Sequence, residues 1–250
     1  MEFDDTFLKL TLSSTIEDAW DIYSSTMSHF GFDRIIYGRT SFRNGFNLGD
    51  STNHFILSNH DPAYINFFVE EFRFQDSPMF KWSFDNVGCA SWSLVMKWIE
   101  QGKLSDEQLA VVEGNKKFGV SAGYTISYPN PVSTRNMSSA SLTAKVGLSQ
   151  EDVDNIWDKY GKKLEILSYI FDMKVSSLPH LPEQVRLTKR QREVLEWIGD
   201  GKTIQDTAVI MNLTSATVEK HLRLARDALN VDTTAQAVLK ASLMNQMYMG

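Results

Sequence analysis

Leu187-Thr188-Lys189-Arg190-Gln191-Arg192-Glu193-Val194-Leu195, then Gly201-Lys202-Thr203, Ala208, Asn212-Leu213-Thr214 and Thr217-Val218, is the stretch that decides how this chain is built. Thr188 and Gln191 stand at the spacing where a threonine oxygen accepts a free helical N–H and the glutamine reaches back to the cap. Val194, Leu195 and Ile198 give that short helix one apolar face, and Gly201 ends it. Thr203 starts a second helix through about Met211, Asn212-Leu213 makes a turn, and Thr214 caps a third helix from Ser215 to about Ala228. Val218, Leu222, Ala225 and Leu229 recur there at helical spacing, so that side is expected to be buried and Glu219, Lys220, Arg223 and Arg226 to project from the other. A further cap, Thr233 with Gln236, opens a last helix that buries Ala237, Val238, Ala241 and Met244. Two short helices joined by a tight turn, the second capped by threonine and exposing cations, suit insertion into the DNA major groove. A small helical interaction module with a solvated charged face fits the same spacing.

Upstream, Val175 to Glu183 carries two prolines, two serines and no periodicity, which marks a linker over 175–186 between an N-terminal domain (1–174) and the helical one (187–250). In the N-terminal part, Ser14-Thr15-Ile16-Glu17-Asp18 looks like a helix start, and Arg34 to Arg39 and His54 to Leu57 have strand character. A helix is expected over Pro62 to Phe74, carrying Tyr64, Phe67, Phe68 and Phe72, and another from Ser105 to about Phe118. Val120 to Tyr128 and Ala140 to Val146 read as paired strands, Ser133 to Ser139 as a polar loop, and Ser149 to about Met173 as a long helix. Helices and strands mix without regular βαβ alternation, so the fold class is α+β: an α/β/α sandwich with an antiparallel sheet, followed by a four-helix helix-turn-helix domain.

Composition supports the division. Of 15 Phe, 8 Tyr and 6 Trp, only Trp197 and Tyr248 fall after residue 186, so the N-terminal part alone can line an aromatic pocket. The formal net charge is −6, yet from Leu187 onward eight Lys and Arg face seven acids, leaving a surface usable by a polyanion. The N-terminus has neither the basic flank nor the apolar run of a signal peptide, and no segment reaches the roughly 18 apolar residues of a membrane span. The expected location is the cytoplasm. One cysteine, Cys89, excludes an internal disulfide framework and reads as a buried structural thiol. The five histidines show no paired metal-ligand spacing, and there is no phosphate-binding glycine loop or nucleophile motif, so neither enzyme nor metal site is expected.

The C-terminal residues quoted above, with Leu229-Asn230-Val231, resemble the LuxR-type helix-turn-helix over about 60 residues. That resemblance implies a transcription regulator whose partner is a double-stranded DNA operator. Three positions depart from the family pattern: Gln191 replaces Glu, Glu219 replaces a cation, and Ala228 replaces Lys. On this reading Glu219, Lys220 and Arg223 read bases, while Lys202, Thr214, Thr217 and Arg226 position the DNA backbone.

Residues 5–174 look like the acyl-homoserine-lactone-binding domain of quorum-sensing members of that family. The likeness is carried by Asn59 to Tyr64, Phe68, Asp76-Ser77-Pro78, Trp92, and Gly119 with Gly123. It implies that Tyr64 donates to a lactone carbonyl, Phe68 packs over the ligand, Asp76 accepts the amide N–H, Trp92 walls the site and Gly123 completes it. Here Tyr stands for the usual Trp, Phe for the usual Tyr, and Ser77 separates the acid from the proline. No cofactor beyond the small-molecule signal is implied. The long helix ending near Met173 carries more apolar surface than one side needs, which points to a homodimer on a two-half-site operator. The competing readings are an orphan regulator that binds a different small molecule or none, and a dimerising anti-activator.

Overall fold

Three central strands, covered on both faces, organise the N-terminal unit. The computed structural model describes residues 3–41, 43, 48, 54–71, 73–130, 135–179 and 186–248. Phe72, Ser133, Thr134 and the middle of the expected linker lie outside them. The chain divides into two units, Met1–Val175 and Ser176–Gly250.

In the first unit, β1 (Phe32–Thr40), β2 (Phe55–Ser58), β3 (Gly88–Ser91), β4 (Gly123–Ser127) and β5 (Met137–Ala144) form a sheet in the order β2-β1-β5-β4-β3. Every neighbouring pair is antiparallel. The register aligns Ile35 with Leu142, Tyr37 with Ala140, and Ile126 with Ala140, so these side chains share one face. On that face they are almost wholly buried with Phe32 and Tyr124 against α1 (Phe3–Leu12), α2 (Ile16–His29) and α7 (Gln150–Ser177). The stacked Tyr23 and Phe171 rings, 4.2 Å apart, tie α2 to α7 within this core.

The opposite face carries Ile36, Gly38 and Thr40 on β1, Ser139, Ser141 and Thr143 on β5, and Gly123, Thr125 and Ser127 on β4. Most of these side chains are small, so whatever covers them stands off from the sheet. The cover comes from α3 (Pro62–Ile65), a π turn (Asn66–Glu70), a 3-10 turn (Arg73–Asp76), α4 (Pro78–Asp85), α5 (Ser93–Glu100) and α6 (Asp106–Lys117). The α/β/α sandwich read from the sequence is the observed architecture.

Several elements differ from the expectation. The single helix expected over 62–74 is broken into the α turn, π turn and 3-10 turn just named. The N-terminal residues, for which no element is expected from the sequence, form α1, with Asp4 and Asp5 in its first turn, where acids suit the helix dipole. Helices α4 and α5 and strand β3 occupy a segment for which the sequence sets no expectation. The long helix α7 runs on through Ser177, past the expected end near Met173.

In the second unit, α8 (Lys189–Gly199), α9 (Ile204–Met211), α10 (Ser215–Leu229) and α11 (Thr234–Leu243) enclose a core of aliphatics that includes Val194, Leu195, Val218, Leu222, Ala225, Leu229, Ala237 and Ala241. Capping boxes are present at Thr188 with Gln191, Thr203 with Asp206, and Thr233 with Gln236. Asn212 and Asn230 close α9 and α10 in the left-handed conformation, which asparagine tolerates better than most residues.

Candidate functional site

Two adjoining cavities lie against the small-residue face of the sheet. The first, of about 750 Å³ and partly open to solvent, is lined among others by His60, Tyr64, Phe68, Ser77, Trp92 and Asn115. The second, about 630 Å³ with its own opening to solvent included, is mostly apolar: Gly38, Leu48, Ile56, Val69, Phe74 and Phe80 contribute to it. Ile36, Phe68 and Ser141 line both, so the two chambers meet there.

The segment entering α3 is fixed by Asn59, whose side chain accepts from the Ile35 N–H (2.6 Å) and donates to the Asp33 carbonyl (3.0 Å). This clamp to β1 sets the Tyr64 ring in place. Tyr64 is buried, and its hydroxyl donates to Asn115 Oδ1 on α6 at 3.1 Å. Burial pushes the phenol above its ordinary pKa, so it stays protonated. Phe68 stacks on Tyr64 with ring centres 5.4 Å apart. His60 lies 4.6 Å from the Tyr64 ring, with Nε2 3.4 Å from Thr143 Oγ1. Burial, with Arg34 nearby, holds its imidazole down to about 3, so His60 is neutral at physiological pH.

Trp92 donates through Nε1 to Thr125 Oγ1 (2.9 Å), which turns its ring into a wall rather than a donor. Gly123 is explained by that ring: a Cβ there would lie 2.1 Å from the Leu142 carbonyl oxygen and 3.1 Å from the indole. Gly123 does not itself line either chamber, which corrects its expected place among the ligand contacts. Its backbone is held by Gln150, which accepts from its N–H and donates to its carbonyl (2.9 and 3.2 Å).

Asp76 is also corrected. It ends the 3-10 turn, is about half exposed, and pairs with Lys81 at 3.1 Å. Neither chamber includes it. Ser77 takes the inward place because it is the N-cap of α4: restricted to extended backbone by the following proline, its side chain accepts from Phe80 N–H. Ser77 is buried and lines the first chamber.

In the second unit α10 presents Glu219, Lys220 and Arg223 to solvent. Thr214 caps the helix and its hydroxyl lies 2.9 Å from that of Thr217. Lys202 is exposed just before α9. Arg223 makes only a loose, exposed ion pair with Asp227 (3.7 Å), which costs little to exchange. Arg226 is half-buried and donates to Thr234 Oγ1 at 3.1 Å, so it braces α10 against α11.

Comparison with known proteins matches residues 15–175 to the family model "Autoinducer binding domain" and residues 185–241 to "Bacterial regulatory proteins, luxR family". The chain belongs to the LuxR family. The transcriptional activator protein AnoR of Acinetobacter nosocomialis is 22% identical over 228 residues, 91% of each chain. The transcriptional activator protein LuxR of Aliivibrio fischeri is 21% identical over 190 residues, covering 75% of this chain and 73% of that one. The crystal structure of Escherichia coli SdiA shares the fold, with a TM-score of 0.52, 16% identity and coverage of 99% and 98%. This LuxR-family chain is therefore a transcriptional regulator, not an enzyme, with a small-molecule-binding unit and a DNA-binding unit. No helix among the described residues is long and apolar enough to cross a membrane.

Two further cavity residues escaped sequence reasoning. Asn115 lies among polar residues near the end of α6 and gives no local signal. Gly38 did leave one: a glycine inside a strand marks close approach of something else. A Cβ at Gly38 would meet nothing within 4 Å, so the missing neighbour is open cavity.

Proposed function

We propose that the N-terminal unit binds an N-acyl-homoserine lactone and that occupancy controls operator binding by α10. The polar head sits in the chamber of His60, Tyr64, Ser77, Trp92 and Asn115, and the acyl chain passes Phe68 toward the apolar chamber over Gly38. The observation that carries this reading is the junction, at Ile36, Phe68 and Ser141, of a chamber carrying His60, Ser77 and Asn115 with a more apolar one. Such a pair matches an amphiphile with a compact polar end and a flexible tail. Because the Tyr64 proton is committed to Asn115, the Asn115 amide is the better donor to a ligand carbonyl on that side.

Thermal unfolding against lactones of increasing chain length tests this. A ligand at about a hundred times its Kd raises stability by roughly 2.7 kcal/mol, with an optimum at one chain length. No shift with any lactone, from protein that is folded without one, would favour the orphan reading. The regulator acts as a homodimer on this account. Ile166 and Met173, exposed and seven residues apart on α7, supply the contact, and the double substitution Ile166→Glu, Met173→Glu is expected to yield monomers in sedimentation.

A further inference from the structure

Ser77 and Asp76 stand side by side in sequence and face different surroundings. Asp76 is paired with Lys81 outside the chamber. Ser77 lines it, accepts from Phe80 N–H, and among the described residues has no acceptor for its own proton. A hydroxyl so placed donates; it offers a ligand a hydrogen bond to a carbonyl oxygen. Among the described residues the lining of the first chamber includes no carboxylate, and its one charged side chain, Lys116, is paired with Glu113 at 2.7 Å. The neighbouring polar groups, His60 and Thr143, are neutral.

An acyl amide and the matching acyl ester share the carbonyl and differ in one place, an N–H against an oxygen. A carboxylate tells them apart, because it accepts a charge-assisted hydrogen bond from the N–H and repels the ester oxygen. A serine donating to the carbonyl meets the same atom in both and lacks the carboxylate's grip on the N–H, so only the modest difference in carbonyl basicity separates them. We propose that Ser77, in place of an acid, meets the link between head and chain of the ligand, and that this regulator therefore binds ester-linked acyl lactones within a few-fold of amide-linked ones. The inference rests on the acyl-lactone reading of the cavity.

The test compares, on the full chain by calorimetric titration, an N-acyl-homoserine lactone with the ester in which oxygen replaces the amide N–H. The chain length is the one giving the largest thermal shift. The expected result is an ester bound within about threefold of the amide, or more tightly. A preference for the amide of roughly tenfold or more would overturn the inference and leave the acyl-lactone reading standing. Binding of neither would overturn both. Ser77→Asp provides the second arm: aspartate caps a helix as well as serine, so α4 is kept. That variant is expected to gain an amide preference of roughly tenfold. An amide-to-ester ratio unchanged by Ser77→Asp would show that residue 77 does not meet the link, and would also overturn the inference.

Discussion

Gly38 and His60 show how single positions in the cavity report on function. At Gly38 there is room above β1, so Gly38→Val fills cavity without displacing protein atoms and is expected to leave unliganded stability unchanged or slightly raised. The same change narrows the apolar chamber. The lactone panel repeated on this variant should therefore show an optimum at a shorter chain; an unmoved optimum would place the tail elsewhere. His60 makes a pH prediction. Its imidazole, held down to about 3 in the fold against 6.5 in the unfolded chain, resists a proton that unfolding admits. Its contribution is fully present above about pH 6.5 and is lost as pH falls toward 3. At pH 5.5 the loss is about 1.4 kcal/mol, and His60→Gln should remove that part of the acid-side decline in unfolding midpoint. Residue-level reading of the cavity failed where neighbours compete for one role. Ser77 and Asp76 are both good caps, and only the pair Asp76–Lys81 and the cap to Phe80 N–H decide which faces in.

The elements of the second unit were legible because their limits are set locally. Thr188, Thr203, Thr214 and Thr233 each accept the expected N–H, and the polar face of α10 follows from the burial of Val218, Leu222, Ala225 and Leu229. In the first unit, α5 follows Trp92 with no side-chain cap, and the 62–76 segment is bent by a π turn, so neither left a local signature. The exposed row on α10 carries the prediction at this scale. Arg223→Ala should weaken binding to a DNA fragment selected by the wild-type protein by about 1–3 kcal/mol and relax one base preference. Arg226→Ala should instead lower the unfolding midpoint, since its bond to Thr234 joins α10 to α11. An Arg223 variant that binds the selected fragment as tightly as wild type does, and discriminates it from random fragments equally well, would remove Arg223 from base reading.

Across the whole molecule, the sandwich is legible from mixed elements and a skewed aromatic distribution; of the cavity, the aromatic wall of Tyr64, Phe68 and Trp92 is legible and the floor is not, because the floor arises between strands distant in sequence. The face of Ile36, Gly38, Ser139, Ser141 and Thr143 exists only once β1 and β5 are in register. Ser141 lies at its centre and lines both chambers. The most direct test of the account is thermal unfolding of Ser141→Trp with and without the best lactone. The account predicts a folded variant whose lactone-induced shift is abolished. A variant equally folded and still stabilised by the lactone as strongly as wild type would contradict it.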